Sequence, residues 1–314
     1  MRVLVLIPGS VSYFYNVTGR RVADALRTLG CDVDVHTLPS ARQGEYDWCL
    51  AVDLTEITQA WGDKREAMRR FDEVRAECGR TAVILQECVN THWFIDASGL
   101  VAEAGVDTVL DLGLNDQTDQ LAPSTATRYR FVLNGLTRRE HALARSMPPD
   151  SEDRPIPWVF IGHFTPTRAA LVNRLVNEVD PGGFVYLPRL DPVTEDGPHI
   201  NASQLRRVLE RSRYQVWCAH HSHFHLEGER FRNSLLAGGV PIKIMLGPAT
   251  TGASVPFPYL MLDEQHFEQL LREMDFEAAR AQFREEFFAL PTLEDCLAEV
   301  VMTNGPTTAL GRPG

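Results

Sequence analysis

Residues 220–244, HHSHFHLEGERFRNSLLAGGVPIKI, crowd four histidines, two glutamates and two arginines ahead of an apolar run that breaks at Gly-Gly-Val-Pro. Such polar crowding is costly to bury, and the apolar run has the composition of a helix. The first backbone amides of a helix lack internal partners and its dipole favours negative charge, so a helix start is where an anion binds best. Arg230 and Arg232 stand at that start, where the dipole disfavours a cation; a bound anion would compensate the mismatch. His221, His223 and His225 alternate, which places them on one face if the preceding strand continues. A zinc ion would need one or more further ligands in tetrahedral geometry. One histidine lining a cleft, with the others solvated or hydrogen-bonded, fits the pattern better, and no metal site is expected.

These residues need a scaffold, and the flanking sequence describes one. RVLVLIP near the start is a continuous apolar run, as a strand covered on both faces requires. The loop GSVSYFYN follows, then VTGRRVADALRTLG, where Val22, Leu26 and Leu29 fall at helical spacing and Gly30 ends the helix. CDVDVHTL, YDWCLAVDL, TAVILQE and VDTVLDLG continue as strands, with the amphipathic helix KREAMRRFDEVRAECG among them. Strand and helix alternating in this way predict a parallel sheet with right-handed crossovers, whose ligands bind beyond the carboxyl ends of the strands. A second cycle starts after the Pro-rich, charged stretch SMPPDSEDRPIP. It runs through the strand WVFIGHF, the helix TPTRAALVNRLVNEV capped by Thr165, the strand GFVYLP and the helix NASQLRRVLERS. The strand YQVWCAHH, the helix RFRNSLLAGG, two short strands and a helical tail complete it. The expected architecture is α/β, two Rossmann-like domains facing a central cleft: residues 1–150 and residues 151–314, divided near 148–156, with the C-terminal helices returning to the first domain.

Composition narrows the class. A net charge of −11 argues against nonspecific nucleic-acid binding, and no nucleic-acid partner is expected. The six cysteines are scattered without a C-x-x-C pair, which suits reduced thiols in a cytoplasmic protein. The opening is too short and strand-like for a signal peptide, and no stretch reaches the roughly 20 apolar residues of a membrane span.

The order of elements resembles a GT-B glycosyltransferase, nearest to the small bacterial transferases of the spore-maturation-like and family 1 types. Three places carry the likeness: RVLVLIPGSVSYFYNVTGRRVADALRTLGCDVDV, WVFIGHFTPTRAALVNRL and ERFRNSLLAGGVPIKI. The resemblance implies an N-terminal acceptor-binding domain, a C-terminal domain for a nucleotide-sugar donor, and transfer of a sugar to an acceptor hydroxyl. It implies no cofactor, the nucleotide-sugar being a co-substrate. Arg230 would stabilise the departing diphosphate, with Arg232, and with Arg168 behind Gly162 as a second clamp. Arginines and helix ends would then replace a divalent cation. In the family pattern a glutamate holding the ribose stands seven residues before the proline. Ser234 occupies that position here, so donor hydroxyls fall to Ser234 or move to Glu227 or Glu229.

On the acceptor side Gly9 and Ser10 follow the first strand, and Tyr13, Phe14 and Tyr15 could stack on a sugar ring or serve as core or lid packing. Glu87 and His92 could supply a general base. Asp53 and Asp111 end other strands and compete for that role, although a carboxylate at a strand end equally caps a helix. A nucleotide-sugar epimerase shares the layout, and a noncatalytic sugar-nucleotide-binding partner of another enzyme would suit the displaced glutamate. The acceptor stays unidentified and a homodimer stays open.

Overall fold

The computed structural model describes residues 1–9, 13–41, 44–86, 91–106, 108–112, 128–146, 153–188, 200, 202–219, 225–247 and 256–302. The first half runs β1 (Arg2–Ile7), α1 (Tyr13–Thr28), β2 (Asp32–Thr37), β3 (Tyr46–Val52), α2 (Leu54–Trp61), α3 (Lys64–Arg75), β4 (Cys78–Leu85), α4 (His92–Glu103), β5 (Thr108–Asp111) and β6 (Arg128–Phe131). The second runs α5 (Arg138–Ser146), β7 (Ile156–Ile161), α6 (Pro166–Arg174), β8 (Phe184–Tyr186), α7 (Ala202–Glu210), β9 (Ser212–Cys218), α8 (Gly228–Leu236), β10 (Val240–Met245) and β11 (Met261–Asp263). The helices α9 (Phe267–Glu273), α10 (Phe276–Ala289) and α11 (Leu293–Val301) follow.

Two sheets result, and every strand pair in both is parallel. The first has six strands in the order β2-β1-β3-β4-β5-β6, the second five in the order β11-β10-β9-β7-β8. Covered strands need apolar side chains on both faces. In β1, Val3, Leu4, Val5 and Leu6 are all fully buried, with Leu4 and Leu6 in one core cluster and Val3 and Val5 in the other. The β6 strand, Arg-Tyr-Arg-Phe, was not read from the sequence, because nothing in it looks like a buried run. The long helical tail breaks where the Asp275 side chain accepts from the Ala278 amide and starts α10 afresh.

Each strand order reverses once. The chain leaves β1 towards β2 and returns on its other side to β3; it leaves β7 towards β8 and returns to β9. Loops diverge at such a point and leave a crevice beyond the carboxyl ends of the strands, where ligands of doubly wound sheets bind. Gly162 follows β7, and Glu227 with the first turn of α8, through Arg232, follows β9.

Packing also shows how the halves are tied. Leu133 and Leu136, just past β6, belong to the core of the second sheet with Trp158, Phe231 and Phe283. The last helix crosses back: Leu293, Leu297 and Val301 of α11 lie in one cluster with Val3, Val22 and Leu26. The Pro-rich stretch expected to divide the halves falls largely on residues 147–152, outside the described residues.

Candidate active site

The centre of the site is a largely buried carboxylate. Glu227 precedes α8 with a left-handed backbone (φ 55, ψ 51), and its side chain does not cap the helix. Instead Oε2 accepts from Trp217 Nε1 at 2.8 Å and from Lys243 Nζ at 2.8 Å, and Oε1 accepts from Arg230 Nε at 3.1 Å. Burial opposes the charge on this carboxyl. Lys243, then Arg230 and His225, outweigh burial and hold it well below the usual carboxylate range. Lys243 is only 2% exposed and also donates to the His225 carbonyl.

Arg230 is held along one edge and open along the other. Its Nε meets Glu227, its Nη1 donates to the Ile161 carbonyl at 3.0 Å, and its guanidinium lies 5.7 Å from the centre of the Trp217 ring. The side chain is 33% exposed. Ile161 ends β7, so Arg230 spans the crevice between the β7 and β9 loops.

Arg168, expected as a second phosphate clamp, is a tie between loops. It is 3% exposed. Its Nε and Nη2 donate to the Cys218 carbonyl at 3.1 and 2.7 Å, and its Nη1 donates to the His163 carbonyl at 3.1 Å. All three nitrogens are committed to backbone, which corrects the expectation of a free clamp. Burial and then the nearby Arg230 lower its pKa. Gly162 makes room for it, since a Cβ there would stand 3.0 Å from Arg168 Nη1 and 3.3 Å from Cζ. His163 sits beside both arginines; burial, Arg168 and Arg230 lower its pKa, and its buried Nδ1 has no hydrogen-bond partner among the described residues.

The remaining α8 residues point elsewhere. Ser234 is fully enclosed, its hydroxyl bonded to Gln215 Oε1 at 2.6 Å and to the Arg230 carbonyl at 2.9 Å. It has no face left for a donor hydroxyl, which corrects that assignment and makes it a fastening between α8 and β9. Arg232 is 4% exposed and contacts Glu229 and Asn233. Burial and the approach of Arg21 push its pKa down to about 10. Arg21 on α1 bonds Asn134, Gly135 and Glu140, so this face of α8 looks to the first half, away from Arg230.

In the first half Gly9 takes φ +95, which an L side chain rarely adopts, and Asn16 clamps both its amide and its carbonyl. It lines a cavity of about 200 Å³ with Thr37, Ile57 and Trp61. His92 is exposed at the first turn of α4, its ring centre 3.7 Å from that of Trp93. Asp53 is a cap: its carboxylate accepts from the Thr55 and Glu56 amides, and it is buried. Asp111 is likewise buried at the end of β5. Glu87, Ser10, His221, His223 and the Tyr13 side chain lie outside the described residues. Among the described residues no three His, Cys, Asp or Glu side chains gather as a metal ligand set. The chain's one D-x-D spacing, Asp32-Val33-Asp34, opens β2 at the opposite end of the sheet, where Asp34 accepts from Tyr46 and Arg2.

The site therefore joins Glu227, Arg230, Arg168 and Gly162, sets Arg232 and Ser234 apart, and adds Lys243, Trp217 and His163, which the sequence reading passed over. A single lysine inside the apolar strand VPIKIM was the available signal, because lysine is almost never fully buried unless paired.

No protein-family model matches the chain, and no curated protein does. Solved structures do. An alpha-glucosyltransferase (AGT) in complex with UDP superposes at a TM-score of 0.62 and 9% identity, over 96% of this chain and 100% of that one. An alpha-glucosyltransferase in complex with UDP and a 13-mer DNA containing an HMU base gives 0.60 at 10% identity, over 96% and 99%. A second such complex gives 0.58 at 10% identity, over 96% and 100%. The chain has this same GT-B fold. The DNA complexes overturn the expectation that nucleic acid is excluded. Net charge sums over the whole surface, whereas a local groove decides what binds, so −11 does not settle the partner. No described helix is long and apolar enough to cross a membrane.

Proposed function

We propose that the chain is a glycosyltransferase that moves a sugar from a nucleotide-sugar donor to an acceptor hydroxyl. One observation carries the reading: Arg230 is tethered by Nε and Nη1 and still partly exposed, beside the uncapped start of α8, at the reversal point of a parallel sheet. In the reaction the bond between the anomeric carbon and the diphosphate oxygen breaks, and its electron pair goes to the diphosphate. The acceptor oxygen bonds the anomeric carbon and loses its proton. The free edge of Arg230 and the first amides of α8 meet the charge that develops on the leaving group. This arrangement asks for no divalent cation. For the acceptor proton we assign His92, which is exposed at the first turn of α4, after the carboxyl end of β4. A cytoplasmic setting suits the five described cysteines, all free.

The test is a panel of nucleotide sugars, read by thermal shift and by nucleoside diphosphate release, with acceptors that include sugars and duplex DNA bearing a hydroxymethylated base. Release that requires an acceptor is expected. Release without any acceptor would favour an epimerase, and binding without release under every condition would favour a noncatalytic partner; either result overturns the proposal.

A further inference from the structure

We propose that Lys243 is the positioning residue for Arg230, acting through the Glu227 carboxylate so that one edge of the guanidinium is held and the other faces the donor diphosphate. This rests on the nucleotide-sugar reading above. Glu227 then serves the arginine and does not bind donor hydroxyls.

The geometry begins in the second sheet. Lys243 of β10 stands in register with Trp217 of β9, so the two side chains share a face of neighbouring strands. Both converge on one oxygen, Glu227 Oε2, each at 2.8 Å. The other oxygen is thereby turned to Arg230 Nε at 3.1 Å. A carboxylate with three donors around it has little acceptor capacity left for a sugar hydroxyl, and its direction is set by the two donors that cannot move. Lys243 is anchored a second time by the His225 carbonyl, which fixes the segment leading into Glu227. That segment has to deliver Glu227 in a left-handed backbone conformation, a strained state that persists only when surrounding contacts over-determine it. Trp217 adds the final constraint, with the Arg230 guanidinium 5.7 Å from its ring centre. Strand, ammonium, carboxylate and guanidinium thus form one chain of contacts, ending on the partly exposed group at the crevice. An arginine fixed in this way would meet the diphosphate without first losing rotamer freedom, which is the advantage of preorganisation.

Removing Lys243 alone leaves a largely buried carboxylate short of its main counter-charge, and such a variant can fail for lack of folding. The informative protein is the double variant Lys243→Met with Glu227→Gln, which removes both charges together. UDP and uridine affinities are measured on it and on the wild type by calorimetry. UDP binding is expected to weaken about tenfold while uridine binding is unchanged, because only the diphosphate needs Arg230 in place. A merely structural role would move both or neither. A folded double variant with an unchanged ratio of UDP to uridine affinity overturns the inference. The wild type supplies a second reading that needs no variant at these positions. The Arg230 Nε–H, identified by its loss in Arg230→Lys, should exchange slowly with solvent, and free exchange overturns the anchoring. Wild-type protein that binds neither UDP nor uridine counts against the nucleotide reading itself, and the exchange measurement then decides the anchoring alone.

Discussion

Arg168 in α6 and Arg230 in α8 reach the same crevice beyond β7 and β9, and their substitution should fail in opposite ways. Arg168 is 3% exposed and gives three hydrogen bonds, at 2.7 to 3.1 Å, to the carbonyls of Cys218 and His163. A hydrogen bond involving a charged group is worth about 1.5–3 kcal/mol net. The low end applies here, since burial and the neighbouring Arg230 both disfavour the charge. Arg168→Met should therefore cost about 4–5 kcal/mol of stability, roughly 6–8 °C in Tm for a chain of this size. Arg230 is a third exposed, and Glu227 keeps Lys243 when the arginine is gone, so Arg230→Ala should cost about 1 kcal/mol or less of stability. Its loss belongs in turnover. Removal of one donor to a developing anion costs about 2–4 kcal/mol, or roughly 30- to 1,000-fold in rate. Arg230→Lys should already be damaging, because a point charge replaces a planar fork held at Nε. The assay pairs thermal unfolding with turnover at saturating donor. Arg230→Ala with near-native turnover, or Arg168→Met with native Tm and lost turnover, would show that the anion site lies at the other arginine.

Two further outcomes follow from the same geometry. Glu227 has a folded pKa depressed below its unfolded value, so its stabilisation is complete above about pH 4.5 and is lost as pH falls below that. Melting curves should fall more steeply with acid in the wild type than in the Lys243→Met, Glu227→Gln double variant, and parallel profiles would remove Glu227 from the acid transition. Turnover should also survive EDTA. Activity lost to the chelator and restored by zinc or manganese would reassign the phosphate charge to a metal.

How far the sequence could be read depended on whether a signal was local. The β1 strand was legible because a strand buried on both faces must be apolar throughout, and that is visible in six residues. Arg230 stands out in the sequence because it breaks a local rule, a cation at a helix start where the dipole disfavours it, and the role given to it remains a proposal. Arg168 shows the limit. Its place one turn into α6 was correctly read, but helix position does not say whether a long side chain turns outward to a ligand or folds back onto neighbouring carbonyls. That choice was made by Gly162 and by a strand fifty residues away. Ser234 failed for a related reason: a position counted back from a proline locates the helix turn, whereas Gln215 on β9 decides what the hydroxyl meets. The return of the C-terminal helices to the first domain was expected from the layout of the whole chain and not from the helix itself, because no periodicity in α11 encodes which core has room for Leu293 and Leu297. Lys243 is the instructive case between these. Its burial needed a counter-charge, so a lysine in an apolar strand was a question already posed by the sequence. The answer, a glutamate sixteen residues earlier in a left-handed turn, required the fold to bring β9, β10 and α8 to one edge.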